Sequence, residues 1–350
     1  MSRAPWELGS EFHWQGLPAG PFVRLPGPAN YYLLGRHALL ALLDQLRAPV
    51  LWVPEYFCTD VLASCARRVE IRRYDDSPSR ACPRWESLTP TPDDVVLAVN
   101  YFGIRDHTCW NEWHAGYPCV LVEDHSHDPL GPSAAKSRAD YCFSSLRKTL
   151  PVPDGGILWS PLGRPLPLEP SGCPGTGSAK KLTAMLLKAE YLSGSASPQL
   201  KERFRRLQLE GEAGLEQVEM AAASPFTREM LRDGVPRRWR KQREENTRFL
   251  LKALAGWHAA KPLFTKWPNR AAPLGLVVVF SSPSARDETR RRLCAENVYC
   301  PVHWPAPADA PEHVRDLAAR ILTVPADQRY TTADMQRVAR LLRGGRKLKR

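Results

Sequence analysis

Lys148 stands in the run SSLRKTLPVPDGG (Ser144 to Gly156), and 24 residues earlier Asp124 stands in VLVEDHSHD (Val120 to Asp128). A lysine just after a short apolar strand can hold an aldehyde as a Schiff base. A carboxylate at the end of another strand can face a ring nitrogen and keep it protonated, so that the ring accepts electrons. This pairing suits pyridoxal 5'-phosphate. The same run offers a different chemistry, because His125, His127 and Asp128 are all metal-ligand types. However, no further ligand cluster accompanies them, and His125 and His127 share a face only in an extended chain, so no metal site is expected.

Those two side chains need a sheet to carry them. Short apolar runs without alternation recur at Val50 to Val53, Val95 to Val99, Cys119 to Val122, Tyr141 to Phe143 and Gly156 to Trp159. Such runs fit strands buried on both faces, as in a mostly parallel sheet covered by helices. In open α/β sheets ligands bind beyond the carboxyl ends of the strands, where Asp124 is expected. Tyr56 and Phe57 in VLWVPEYFC and Tyr101 and Phe102 in VVLAVNYFG fall at the same ends. Their rings can stack on a flat heterocycle or fill the core. In YYLLGRHALLALL, Gly35 and Arg36 mark the start of a helix, whose free amides make a phosphate site that a glycine lets the ligand approach.

The predicted class is α/β, with a large lobe over residues 1–236, of which 1–30 are irregular, and a smaller α+β lobe over residues 237–350. Helices are expected at Ala38 to Leu46, around Lys180 to Leu192, Gln199 to Glu219, Arg237 to Leu254, Arg286 to Glu296 and Thr332 to Leu342. A strand is expected at Leu276 to Ser281. With 350 residues, 43% hydrophobic and 25% charged, the chain can bury a sizeable core. Its 33 prolines fall in short connections between apolar runs, which reads as stiff loops.

The net charge of +12 is concentrated at Arg232 to Arg248, Arg290 to Arg292 and the tail from Arg343. The first two read as solvated helix faces with an anionic substrate as the alternative, and the tail reads as a loose terminus. No zinc spacing or aromatic RNA-binding motif goes with the charge, so nucleic acid is not the expected partner. Nine dispersed cysteines without a framework predict reduced thiols in a cytoplasmic protein. No apolar stretch approaches the roughly 18 residues of a membrane span, so no membrane partner is expected.

From about Gly35 to Leu342 the chain resembles the DegT-type aminotransferases, largely sugar-nucleotide enzymes of the fold type I pyridoxal phosphate superfamily. The resemblance rests on GRHAL, PEYFC, NYFG, VEDHSH, SLRKTLPVPDGG, CPVHWP and ILTVPADQRYTTADM, in the family's order. It implies that Lys148 is the Schiff-base lysine and proton carrier, and that Asp124 pairs with the pyridine nitrogen. It places His127 at the cofactor's phenolic oxygen and Ser126 under the ring. Ser144, with the Gly35 and Arg36 amides, takes the phosphate; Tyr56 or Phe57 covers the ring. The implied activity moves an amino group from an amino acid, by family analogy L-glutamate, to a keto or aldehyde acceptor such as a nucleotide-linked sugar. A twofold homodimer is implied as well. Leu34 departs from the family's small polar residue, and His125 is bulky for its place. Arg147 and TLPVPDGG point to a less characterised branch.

Other positions stay open in the sequence. His303 and Trp304 can line the substrate entrance or fill the small lobe. Tyr101 is a candidate for the substrate side, and Arg329 for a substrate carboxylate or phosphate, with surface capping as its alternative. Asn246 and the arginines around it are candidates to reach a neighbouring subunit. Two further readings compete with transamination: a pyridoxal phosphate-dependent lyase or C–C enzyme, and a non-catalytic binding protein that retains the fold.

Overall fold

The computed structural model describes residues 4–172, 174–195 and 197–344. At its centre lies a seven-stranded sheet in the order Ala29–Tyr32, Gly156–Trp159, Tyr141–Ser145, Val120–Asp124, Val95–Val99, Val50–Pro54 and Glu70–Tyr74. The last five strands of that list run parallel. Gly156–Trp159 is antiparallel to both of its neighbours. The architecture is therefore α/β with a mostly parallel sheet. Val95, Val96, Leu97 and Ala98 are wholly buried, and each such valine or leucine contributes about 1.5–3 kcal/mol relative to an exposed one. Five apolar residues in a row are stable there because helices cover both faces.

The helix Gly35–Leu46 packs against the strands Tyr141–Ser145 and Gly156–Trp159. It is buried along Ala38, Leu39, Leu42 and Leu43, as its nearly all-round apolar sequence demands. It ends where Arg47 turns left-handed. Two long helices, Gly175–Ser193 and Pro198–Glu216, pack closely along each other. Beyond them Arg237–Ala253 and Thr332–Leu342 cover a three-stranded antiparallel sheet of Ala260–Pro262, Gly275–Phe280 and Ile321–Pro325.

Three departures from the sequence expectations have simple causes. The strand Glu70–Tyr74 was not expected because EIRRY is charged; it is a sheet edge, where charge on the exposed face guards against pairing with another chain. The first thirty residues are not merely irregular. Leu8–Gly9 pairs with Val298–Tyr299, and Phe22–Val23 pairs with Val235–Pro236. Short helices at Pro225–Leu231 and Glu312–Arg320 also carry too few periodic residues to show in the sequence. Among the described residues no helix is long and apolar enough to cross a membrane, and the eight cysteines are free thiols. Most of the basic tail, from residue 345, lies outside the described residues. Its first arginine, Arg343, is held by the carbonyls of Ala253 and Ala255.

Candidate active site

Asp124 ends the strand Val120–Asp124, and its backbone lies opposite Phe143 of the next strand. That neighbouring strand finishes at Ser145, and a single 3-10 turn, Leu146–Lys148, then presents the lysine. The two segments are laced together: Ser126 N–H donates to Asp124 Oδ1 at 2.8 Å, and Ser145 N–H donates to Ser126 Oγ at 2.9 Å. Gly35, first residue of its helix, packs so closely on this turn that a Cβ would lie 2.9 Å from Ser145 Cβ. No side chain caps that helix, so its first amides, those of Gly35 and Arg36, have no acceptor within it.

Lys148 opens onto a cavity of about 510 Å³, shared with Ser145, Arg147, Arg243, His303 and Arg329. Its Nζ makes no hydrogen bond or ion pair among the described residues; it lies 5.4 Å from the centre of the Trp304 ring. Trp304 in turn lies nearly parallel to His127, with centroids 5.8 Å apart and planes at 19°. Tyr56 and Phe57 both tilt onto the same indole, at 5.9 and 6.0 Å. Four residues named from the sequence therefore surround one flat side chain.

His127 is wholly enclosed, 2% exposed. The Phe102 N–H donates to its Nδ1 at 2.9 Å. This contact needs the turn after Val95–Val99, in which Phe102 and Gly103 both adopt left-handed φ, 56° and 74°. A Cβ on Gly103 would lie 2.9 Å from the His127 carbonyl oxygen, so glycine is required there. Burial first, and then the charges of Lys148, His303 and Arg243, hold the imidazole well below its ordinary range. A neutral ring that accepts at Nδ1 carries its proton on Nε2. That Nε2 is buried without a partner, so the site contains a fixed N–H donor with nothing to donate to.

The other named residues divide between the cavity wall and the core. Ser144 is fully buried with an unpartnered hydroxyl; strand alternation turns Ser145, not Ser144, toward the cavity. Tyr101 is 2% exposed, donates to the Tyr56 carbonyl at 2.8 Å and does not reach the cavity. His303 does line it, half-buried, beside Thr323 Oγ1 at 3.0 Å; burial and the Lys148 charge lower its imidazole to about 3. Arg329 lines the cavity too, but its guanidinium is committed to Asp327 at 2.7 Å and to carbonyls of Gly9, Ser10 and Glu11. Asn246 faces inward, donating to the carbonyls of Asp327 and Tyr330. His125 points away from His127, toward Glu123 at 2.7 Å, and Asp128 binds Arg240, so the three metal-type residues of the run do not converge. Glu123 would be raised by burial, but His107 and His125 outweigh this and hold it below the carboxylate range.

Sequence reasoning missed Ser145, the Trp304 indole as the centre of the ring cluster, and Arg243. The last carried a signal. Trp239, Arg243, Asn246 and Leu250 are the buried stripe of Arg237–Ala253, and an arginine is almost never fully buried unless it is paired.

No family model and no curated relative matches the chain. Solved structures do. A DegT DnrJ EryC1 StrS aminotransferase from Brucella abortus aligns over 91% of this chain and 86% of its own, with 15% identity and a TM-score of 0.59. The aminotransferase TlmJ from Streptoalloteichus hindustanus aligns over 91% and 85%, at 16% identity and TM-score 0.57. DesI, solved in the presence of its TDP-sugar product, aligns over 90% and 79%, at 15% identity and TM-score 0.56. The chain therefore shares the fold of the DegT-type aminotransferases.

Proposed function

We propose that the protein is a pyridoxal 5'-phosphate-dependent aminotransferase, taking the amino group of an amino acid such as L-glutamate and delivering it to a keto or aldehyde acceptor. A nucleotide-linked sugar is the acceptor this reading favours, because DesI, of the same fold, was solved with a TDP-sugar product. The observation that carries the reading is the juxtaposition of an unpaired amine on Lys148 with the unsatisfied Nε2–H of His127, both against the Trp304 indole.

The residues present fit the cofactor. Lys148 would hold its aldehyde carbon, and His127 Nε2–H would donate to its phenolic oxygen. Asp124 would face its ring nitrogen, with one carboxylate oxygen already fixed by the Ser126 amide. The Gly35 and Arg36 amides, with Ser145 in place of Ser144, would take the phosphate. Tyr56 and Phe57 pack on the Trp304 indole, beside the place the ring would take. When bound, the cofactor supplies an electron sink for breaking the bond between the amino acid's Cα and its hydrogen. Lys148, on the short 3-10 turn that follows the strand, would carry that proton. The neutral His127 would orient the phenolic oxygen without giving up its proton. Asp124 would keep the ring nitrogen protonated by charge pairing. A twofold dimer belongs to the same reading.

The test is spectroscopic. Purified protein given pyridoxal 5'-phosphate should show a visible band that borohydride bleaches, leaving the label on the peptide containing Lys148. L-Glutamate should convert the band to that of the pyridoxamine form. Lys148→Ala should lose the band with an unchanged circular dichroism spectrum. A label on another lysine, or a band that survives in Lys148→Ala, refutes the assignment. Cofactor binding without any conversion by amino donors favours lyase chemistry instead.

A further inference from the structure

Arg243 is 3% exposed, yet it makes no ion pair among the described residues. Its Nη2 donates to the Thr149 carbonyl at 2.8 Å and to Gln328 Oε1 at 3.0 Å, while its Nε–H is buried without a partner. The two carboxylates near enough to act on it are Asp128 and Asp327. Both are spoken for: Asp128 is bound by Arg240 at 2.9 Å and Asp327 by Arg329 at 2.7 Å. Three guanidinium groups thus face two carboxylates, and the positive charge left over is the buried one. The other acids of the cavity do not supply the balance, since Glu212 is bound by Arg147 and Lys181, and Glu11 by Lys181. A buried guanidinium without an anion is unfavourable by itself, which is why such groups are nearly always paired.

We propose that Arg243 is the receptor for the α-carboxylate of the amino-acid donor. The position argues for this anion over others. The carbonyl that anchors Arg243 belongs to the residue immediately after Lys148, and both side chains line the same cavity. In an amino acid the carboxylate sits on the carbon that bears the reacting nitrogen, so an anion site beside the amine matches its geometry. The phosphates of a nucleotide-linked sugar lie many bonds from the reacting carbon. A carboxylate docked on Arg243 meets a fork of N–H donors already oriented by Thr149 and Gln328, which costs little ordering on binding.

This inference rests on the aminotransferase reading, and the experiment separates the two. Holoprotein with Arg243→Gln and with Arg243→Lys would be titrated with L-glutamate while the cofactor band is followed, after the hold on pyridoxal 5'-phosphate itself has been measured. The expected result is a rise of roughly ten- to hundredfold in the half-saturating glutamate concentration for Arg243→Gln. Arg243→Lys should recover part of it, and cofactor binding should be unchanged. In the absence of donor, Arg243→Gln should melt no lower than the wild type, because it removes an unbalanced buried charge. A purely structural arginine would instead lower the melting temperature and leave the glutamate response alone. An unchanged response to glutamate overturns the inference. A weakened hold on the cofactor with an unchanged glutamate response also overturns it, assigning the guanidinium to the cofactor's phosphate. A wild type that takes no cofactor removes the underlying reading and this inference with it.

Discussion

Asp128→Asn is the substitution whose cost the structure defines most sharply. Asp128 is 1% exposed. Its carboxylate receives Arg240 Nε at 3.1 Å, Arg240 Nη2 at 2.9 Å and the Ala272 N–H at 2.9 Å. Asparagine puts an NH2 where one oxygen stood, facing donors with a donor. Removing one partner of a buried ion pair typically costs about 3–5 kcal/mol. The Arg240 side chain keeps 20% of its surface exposed and can regain some water. We therefore expect the lower end, about 3 kcal/mol, or roughly 150-fold in the folding equilibrium. The loss of a negative charge also deepens the imbalance around Arg243. Combining Asp128→Asn with Arg243→Gln should then cost less than the sum of the single variants, by about 1 kcal/mol. Urea unfolding of the four proteins near neutral pH, followed by circular dichroism, measures both quantities. A single-variant loss under about 1 kcal/mol would show that the pair contributes only what a surface bridge does. Strict additivity would refute the claim that Asp128 and Arg243 share one charge cluster.

Stability should fall in acid through His37. The residue is 1% exposed, and burial, with the charge of Arg36, lowers its imidazole from 6.5 to about 4. Between those values the unfolded chain binds a proton that the folded chain does not. The contribution is thus complete above the unfolded value and is lost as pH falls toward the folded one, by about 3 kcal/mol. Urea midpoints across that window should drop less in His37→Leu than in the wild type, and parallel curves would reject the assignment. Arg329→Ala should free the segment Gly9 to Phe12, whose carbonyls and phenyl ring the guanidinium grips. Limited proteolysis should then cut within residues 9–12 before any other site appears. An unchanged digestion pattern would show that the pairing of Leu8–Gly9 with Val298–Tyr299 suffices to hold it.

The strands that carry the site were legible because their burial is extreme: VVLAV and its neighbours have one physical use, a sheet covered on both sides. The placing of Asp124 and of the lysine turn followed from the ends of those strands. Glu70–Tyr74 was not legible, since an edge strand is selected for polar residues that also suit loops. Ser145, the neighbour of the expected Ser144, is the serine on the cavity wall. Strand alternation is strict, so a slip of a single position turns a cavity residue into one sealed in the core.

The arginine was hidden for a different reason. The run Arg232 to Arg248 has the composition of a solvated face, and composition cannot say which member of a basic helix turns inward. Spacing can: Arg243 lies four residues after Trp239 and seven before Leu250, both buried. A helix that accepts a cation on its apolar stripe needs a compensating anion somewhere. Within the described residues the nearby carboxylates are each matched to another arginine. On the proposed reading a ligand supplies the balance: a carboxylate that arrives with the amino group to be transferred would supply it only while the reaction needs it.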